Sequence, residues 1–166
     1  AARVIKKMRP KVRFIVVGDR DEHNPASVDD NFISHHNIHN VAEFWGYRDN
    51  VGEIYRQVSV VCLPSYHEGL PRVLIEASAF AKPVVTFNVP GCRDVVRLAK
   101  NGLLVEKGDQ AGLQEALLEL IDKPKKAANL GKMGRVAAEL HFSGKVINEK
   151  SQEIWNSVIA NANTNI

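Results

Sequence analysis

The stretch Val60-Val61-Cys62-Leu63-Pro64-Ser65-Tyr66-His67-Glu68-Gly69-Leu70-Pro71-Arg72-Val73-Leu74-Ile75-Glu76-Ala77 passes from an apolar run to an amphipathic one within a few residues. Val60 to Leu63 are all apolar, the pattern of a strand inside a parallel sheet covered on both faces. Pro71 suits a first helical position because it has no N–H to lose. Leu70, Val73, Leu74, Ala77 and Ala81 then recur at helical spacing and predict one buried face. Two glutamates bracket the junction: Glu68 at the mouth of the sheet and Glu76 more than a turn down the helix.

The same alternation continues on both sides. Toward the N-terminus, Ala1 to Met8 reads as the end of a helix, and Val12 to Val17 as a buried strand stopping at Gly18-Asp19. Residues 27–34 form a short helix, and Asn40 to Trp45 a strand ending at Gly46. Asp49 then caps a helix whose apolar face is Val51, Ile54, Tyr55 and Val58. Toward the C-terminus, Pro83 to Phe87 is a strand, Val89 to Arg93 a turn with Asp94 capping the next helix, and Gly102 to Val105 a further strand. Leu113, Ala116, Leu117 and Leu120 mark a helix after Asp109, and Pro124 opens another. A last helix over 143–160 carries Ile147, Ile154, Trp155 and Val158 as packing residues. This order predicts an α/β fold, a doubly wound, Rossmann-like parallel sheet, as one domain over 1–160 with a frayed tail at 161–166.

Composition narrows the function classes. The chain has 166 residues, 45% of them hydrophobic, enough for one core. A formal charge of +3 does not imply nucleic-acid binding, and no aromatics are interleaved with the basic runs. Those runs, Lys6-Lys7-Arg9-Lys11-Arg13 and Lys123-Lys125-Lys126-Lys132-Arg135, read as solvated helix ends, with peripheral contact to an anionic membrane as the functional reading. Cys62 and Cys92 are no disulfide framework, no apolar stretch approaches a membrane span, and the cytoplasm fits best. His35, His36 and His39 lack nearby cysteines and read as a polar linker, not a metal site. A chain that opens inside a helix is expected to be a piece of a longer protein.

In doubly wound sheets ligands bind outside the carboxyl ends of the strands. Gly18-Asp19, Gly46-Tyr47-Arg48, Ser65 to Arg72 and Asn88 to Arg93 all fall there. Gly69 lets a ligand approach the backbone, and the amides of Gly69, Leu70 and Arg72 favour an anion such as a diphosphate. Glu68 suits sugar hydroxyls, and Glu76 a ribose diol. An Arg72–Glu76 surface ion pair explains Glu76 equally well, and the residues alone leave both readings open.

The wider sequence adds a resemblance. Pro64-Ser65-x-x-Glu68-Gly69-Leu70-Pro71-x-Val73-x-x-Glu76-Ala77, Pro83-Val84-Val85, Val89-Pro90-Gly91 and Asn101-Gly102-Leu103-Leu104-Val105 resemble the C-terminal donor-binding domain of group 1 retaining glycosyltransferases of the GT-B fold. The likeness runs from residue 1 to about residue 160, and Gly18-Asp19 and Phe44-Trp45-Gly46 fall where that family has them. Gly18 to Asp21 and Asn24 to Ser27, with Leu70-Pro71-Arg72, look closest to the branch that extends lipid-linked capsule, O-antigen or glycan precursors. The resemblance implies a sugar transferred with retention from a nucleotide diphosphate donor, a UDP-sugar before a GDP-sugar, with no cofactor and no metal. Glu68 is then the catalytic residue, supporting an oxocarbenium-like transition state and the donor sugar. Gly18, Ser65, Gly69, Leu70 and Arg72 join the donor site, Gly46, Tyr47 and Arg48 seat the base, and Glu76 holds the ribose.

Two departures from the family pattern carry expectations of their own. Leu70-Pro71 stands where many relatives have further glycine, which removes one amide donor. The first strand of the family's domain, with its diphosphate-binding basic residues, and the whole acceptor-binding domain would precede residue 1. The sheet is therefore expected to have a central gap, and these residues alone to bind donor weakly without transferring sugar. The rival readings are a nucleotide-sugar epimerase of the same fold and a noncatalytic nucleotide-sugar-binding or assembly domain.

Overall fold

In the computed structural model the described residues are 1–19 and 27–163, with side chains through Ile159. Arg20-Asp21 and Asn24 to Ala26, part of the lipid-linked-glycan likeness, lie outside them, as do residues 164–166 of the predicted tail. The elements run α1 (Ala2–Met8), β1 (Phe14–Val16), α2 (Asp30–His35), β2 (Ala42–Phe44), α3 (Val51–Gln57), β3 (Val61–Leu63) and α4 (Arg72–Ala79). They continue with β4 (Val84–Phe87), α5 (Pro90–Ala99), β5 (Gly102–Val105), α6 (Gln110–Asp122), α7 (Pro124–Ala137) and, after a π turn, α8 (Gly144–Asn163). Every strand pairing is parallel: β1 with β2, β3 with β4, and β4 with β5.

The sheet is in two pieces, β1-β2 and β3-β4-β5. A cleft of about 720 Å³ lies between them, with Phe14 and Ile15 on one wall and Val60 and Cys62 on the other. The amino-terminal flanks of both strands, Lys11 to Arg13 and Gln57 to Ser59, open into it together, so β1 and β3 point the same way. This is the expected central gap. It also corrects the reading of Val60 to Leu63 as covered on both faces: Cys62 is exposed and its neighbours half-buried. Val16 and Val17, in the other strand read as buried, are 43% and 39% exposed. Apolar composition reports what a strand's faces pack on; it does not report whether both edges have partners.

The core sits in the larger piece. All four residues of β4 are buried, with Leu74 and Ala77 of α4, Val95 and Val96 of α5, and Leu117 and Leu120 of α6 packed around them. Asn101 is fully buried at the start of β5; its Nδ2 donates to Ser78 Oγ at 2.8 Å, and Ser78 Oγ donates to the Leu74 carbonyl at 2.7 Å. That polar chain ties β5 to α4. The C-terminus of α4 closes in a Schellman turn, with the Lys82 amide bonded to the Ala77 carbonyl and Ala81 left-handed at φ 54°.

Helix α7 crosses that turn on glycines. A Cβ at Gly131 would lie 2.0 Å from the Ala81 carbonyl oxygen, and one at Gly134 2.8 Å from Asn101 Cβ. Gly131→Ala is therefore expected to destabilise the chain by about 1–3 kcal/mol, since backbone faces backbone and neither side yields easily. For a chain of this size the melting temperature should fall by roughly 2–12 °C. An unchanged or raised melting temperature would show that the crossing relaxes freely.

Several local expectations shift. The helix after β3 starts at Arg72, and Pro71, with ψ 98°, is its N-cap; its carbonyl accepts from the Leu74 amide at 3.0 Å. Leu70 is 63% exposed and Val73 40%, so the buried face is Leu74, Ala77 and Ser78, and Ala81 lies beyond the helix. Asn50, not Asp49, precedes α3. Val89 to Arg93 is no turn: Val89 is the N-cap of α5, Pro90 takes its first position, and Asp94 lies inside the helix. Trp155 is 67% exposed, and Ile147, Ile154 and Val158 are exposed with it along α8.

The basic runs are partly neutralised. Arg9 makes two bonds of 2.8 Å to Asp122, tying α1 to α6, and Arg13 makes bonds of 2.8 and 2.7 Å to Glu43. Arg13 holds the Glu43 carboxyl down at about 2, first through that hydrogen bond. Lys123 and Lys126 share Glu119. Among the described residues no group of three His, Cys, Asp or Glu side chains could hold a metal ion, and His36 and His39 rest on Phe32 and Phe44. No described helix is long and apolar enough to cross a membrane.

Candidate functional site

The parallel strands bring the predicted residues to the carboxyl edge in two groups, one on each side of the cleft. The first follows β1 and β2. Gly18, at φ 123°, donates its amide to the Gly46 carbonyl at 3.0 Å, and Gly46 turns at φ 65°. The Tyr47 amide then donates to Asp19 Oδ1 at 2.9 Å. Asp19 thus shapes the loop, while Tyr47 itself stays 67% exposed. Arg48 is exposed and makes no side-chain bond among the described residues.

The second group is the β3–α4 loop. Ser65 Oγ donates to the His67 carbonyl at 3.1 Å, so this hydroxyl builds the loop from inside. Tyr66 packs edge-on to Phe87, with Lys107 Nζ 5.3 Å from the ring centre. Glu68 is half-buried between Gly69 and the start of α5. A Cβ at Gly91 would come within 2.2 Å of the Gly69 carbonyl oxygen and 2.6 Å of that of Glu68, so only glycine lets α5 seat this backbone. Below it, burial pushes the Cys92 thiol up, a hydrogen bond with Thr86 opposes this, and the Glu68 charge adds to the rise.

Because the Leu74 and Ile75 amides bond back to Pro71, the Arg72 and Val73 amides have no acceptor among the described residues. With Gly69 and Leu70 they line the helix start with open donors. Pro71 is buried and contributes none.

Glu76 sits one turn further down. Its Oε2 accepts from the Tyr55 hydroxyl at 3.2 Å, and Arg72 lies 3.5 Å from its Oε1. The ion pair exists, but Arg72 is 87% exposed and Glu76 only 31%, so Tyr55 is the firmer anchor. Tyr55 also reaches the Val73 carbonyl at 3.2 Å, and its own proton is held tightly, by burial first and then by the negative charge of Glu76. Sequence reasoning placed Tyr55 on an apolar face and missed its hydroxyl. The available signal was its chemistry: a buried tyrosine needs a partner for its O–H.

Comparison with known proteins gives the family and the fold. A family model described as Glycosyl transferases group 1 matches residues 1–137. The N,N'-diacetylbacillosaminyl-diphospho-undecaprenol alpha-1,3-N-acetylgalactosaminyltransferase of Campylobacter jejuni is 29% identical over 154 residues, which cover 93% of this chain and 39% of that protein. The capsular polysaccharide biosynthesis glycosyltransferase CapM of Staphylococcus aureus is 30% identical, over 89% of this chain and 38% of its own length. Among solved structures, HepE of Anabaena in complex with UDP-glucose superposes with a TM-score of 0.80 at 26% identity, covering 89% of this chain and 42% of that one. Sucrose-phosphate synthase from Thermosynechococcus elongatus gives 0.82 at 25% identity, covering 95% and 41%. The chain spans about two fifths of the length of the curated relatives it matches. Since the family match takes in every strand of both half-sheets and both glutamates of the β3–α4 junction, this chain belongs to the group 1 glycosyl transferases.

Proposed function

We propose that residues 1–160 are the donor-binding half of a retaining glycosyltransferase. It moves a hexose-type sugar from a nucleotide diphosphate sugar to a lipid-linked saccharide in cell-surface polysaccharide synthesis. The observation that carries this reading is the pairing of Glu76, anchored by Tyr55, with the open amides at the start of α4. The carboxylate suits a ribose diol, and the amides together with the helix dipole suit a diphosphate. As the bond from the anomeric carbon to the phosphate oxygen breaks, negative charge grows on the diphosphate and positive charge on the sugar ring. The amides stabilise the first and Glu68 the second. The names of CapM and of the Campylobacter enzyme support a cell-surface glycan product, and the UDP-glucose complex of HepE supports a UDP-sugar donor.

The enzyme would work in the cytoplasm at the inner face of the membrane, with Lys6, Lys7 and Lys11 available for anionic lipid once Arg9 and Arg13 are engaged by Asp122 and Glu43. The 166 residues alone bind donor weakly and transfer no sugar, because the acceptor-binding domain belongs to the other part of a family-length protein.

Calorimetry with UDP-sugars and GDP-sugars on the family-length protein tests the reading. Glu76→Ala should weaken donor binding about 10- to 100-fold, the value of a hydrogen bond to a charged group. Glu76→Gln keeps an acceptor for Tyr55 and so separates loss of ribose contact from loss of helix packing. Unchanged affinity in both variants would remove Glu76 from the site. Product analysis without acceptor would expose an epimerase.

A further inference from the structure

Arginine is used in two ways in this chain. Where it ties elements together it makes two short bonds to its carboxylate, Arg9 to Asp122 at 2.8 Å each and Arg13 to Glu43 at 2.8 and 2.7 Å. Arg72 does not. Its closest approach to Glu76 is 3.5 Å, its side chain is 87% exposed, and it has no other ion-pair partner among the described residues. Its position is unfavourable as well. Arg72 is the first residue of α4, where the helix dipole is positive, and no acidic residue stands in that first turn to offset it. The pair runs cation first and carboxylate four residues later, the weaker of the two orientations on a helix. A cation set against the dipole and loosely paired is suited to an anion that arrives from outside.

Glu76 is divided between inside and outside. Its Oε2 is held by the hydroxyl of Tyr55, a residue only 7% exposed, and its Oε1 meets Arg72 at the surface. The oxygen that a ribose diol reaches from solvent is therefore the one that Arg72 covers. Rotation separates the two freely. A helical side chain leans toward the N-terminus of its own helix, so a change of rotamer carries the Arg72 guanidinium away from Glu76 and back over the start of α4. There the amides of Arg72 and Val73 have no acceptor among the described residues. At 87% exposure little packs on the side chain to oppose the turn.

We propose that Arg72 and Glu76 exchange partners when donor binds: the ribose diol takes Oε1 of Glu76, and the guanidinium swings to the diphosphate beside the open amides of α4. The exchange rests on the donor-binding function proposed for this site and deepens it, because ribose and diphosphate are then recognised as one unit. A nucleoside without phosphate breaks the ion pair and leaves Arg72 uncompensated. A nucleoside diphosphate breaks the same pair and gives the guanidinium a more highly charged partner, with which it forms charge-assisted hydrogen bonds.

The test is a difference in sign between two ligands. Uridine, UDP, guanosine and GDP are titrated against the family-length protein and its Arg72→Gln variant, the nucleosides by ligand-observed NMR and the diphosphates by calorimetry. For the base that binds, Arg72→Gln should weaken the diphosphate about tenfold, the low end for a hydrogen bond to a charged group. The same variant should tighten the nucleoside about two- to fivefold, the value of an exposed ion pair no longer to be broken. Salt repeats the test without a substitution: by screening the pair it should strengthen nucleoside binding to the parent protein while weakening that of the diphosphate. An arginine that only supports the helix would shift both ligands in the same direction or neither. Nucleoside affinity that fails to rise in both formats, with the diphosphate bound, would overturn the exchange and leave the donor site standing. Failure of UDP and GDP alike to bind the parent would overturn the donor site and the exchange with it.

Discussion

Glu68→Gln in the family-length protein is expected to lower kcat about 10²- to 10³-fold with little change in donor affinity. The substitution keeps the size and the hydrogen-bonding oxygen of the side chain, so an acceptor for sugar hydroxyls remains, while the negative charge that the proposed function sets against the reacting carbon is lost. Removing one preorganised electrostatic contact from a water-poor site typically costs that much. Glu68 is half-buried, and its backbone carbonyl is seated against Gly91 at the start of α5, which fixes where the charge is held. Single-turnover measurement with saturating donor separates the effect on chemistry from one on binding. A kcat within a factor of a few of the parent would mean that Glu68 only shapes the loop.

Gly91→Ala should lower turnover by about 10²-fold or more although residue 91 has no part in the proposed donor contacts. Its new methyl would lie 2.2 Å from the Gly69 carbonyl oxygen and 2.6 Å from that of Glu68. Both are backbone atoms, so no rotamer change relieves the overlap. Of the two partners the β3–α4 loop is the more open, with Tyr66 54% and Leu70 63% exposed, whereas Cys92 and Val95 beside Gly91 are buried. The loop therefore moves and the helix stays. A displacement near 1 Å carries both the Glu68 carboxylate and the Gly69 amide away from the positions that the proposed donor contacts require, which is enough for a hundredfold loss. Thermal melting should change far less than turnover, the reverse of the pattern expected for Gly131→Ala. A variant that unfolds instead would place the strain in α5.

How much of this was legible in the sequence varies from element to element. β4 and α6 were plain, because Val84 to Phe87 and the Leu113-Leu117-Leu120 stripe are buried by the larger half-sheet and their pattern records it. Both glutamates were legible as a pair flanking a strand-to-helix turn. Their partners were not: Tyr55 reaches Glu76 from 21 residues away, a relation that folding creates and local spacing cannot hold. Pro71 was misplaced by one position because its φ of −73° fits either the cap or the first helical residue, and only ψ separates them. Gly91 looked like part of a turn, since Pro-Gly is a common turn pair; in the structure the same two residues open a helix and leave room for a crossing carbonyl. Val60 to Leu63 are apolar enough for a central strand, yet β3 pairs only with β4 and its other edge borders the cleft.

The divided sheet also sets how tightly the two halves of the site are coupled. Among the described residues, every large side chain buried to the limit apart from Ile5 belongs to the half that carries β3, β4 and β5. On the other side β1 and β2 are only partly covered, and α2 buries nothing. Among the described residues no hydrogen-bonded ladder joins the two pieces, so they form cooperative units of unequal stability, and the Gly18-Gly46-Tyr47 end of the edge rides on the weaker one. A ligand that touches both ends must spend part of its interaction energy fixing one unit against the other. Its measured affinity is then the affinity for the aligned arrangement multiplied by the fraction of time the free protein spends in it.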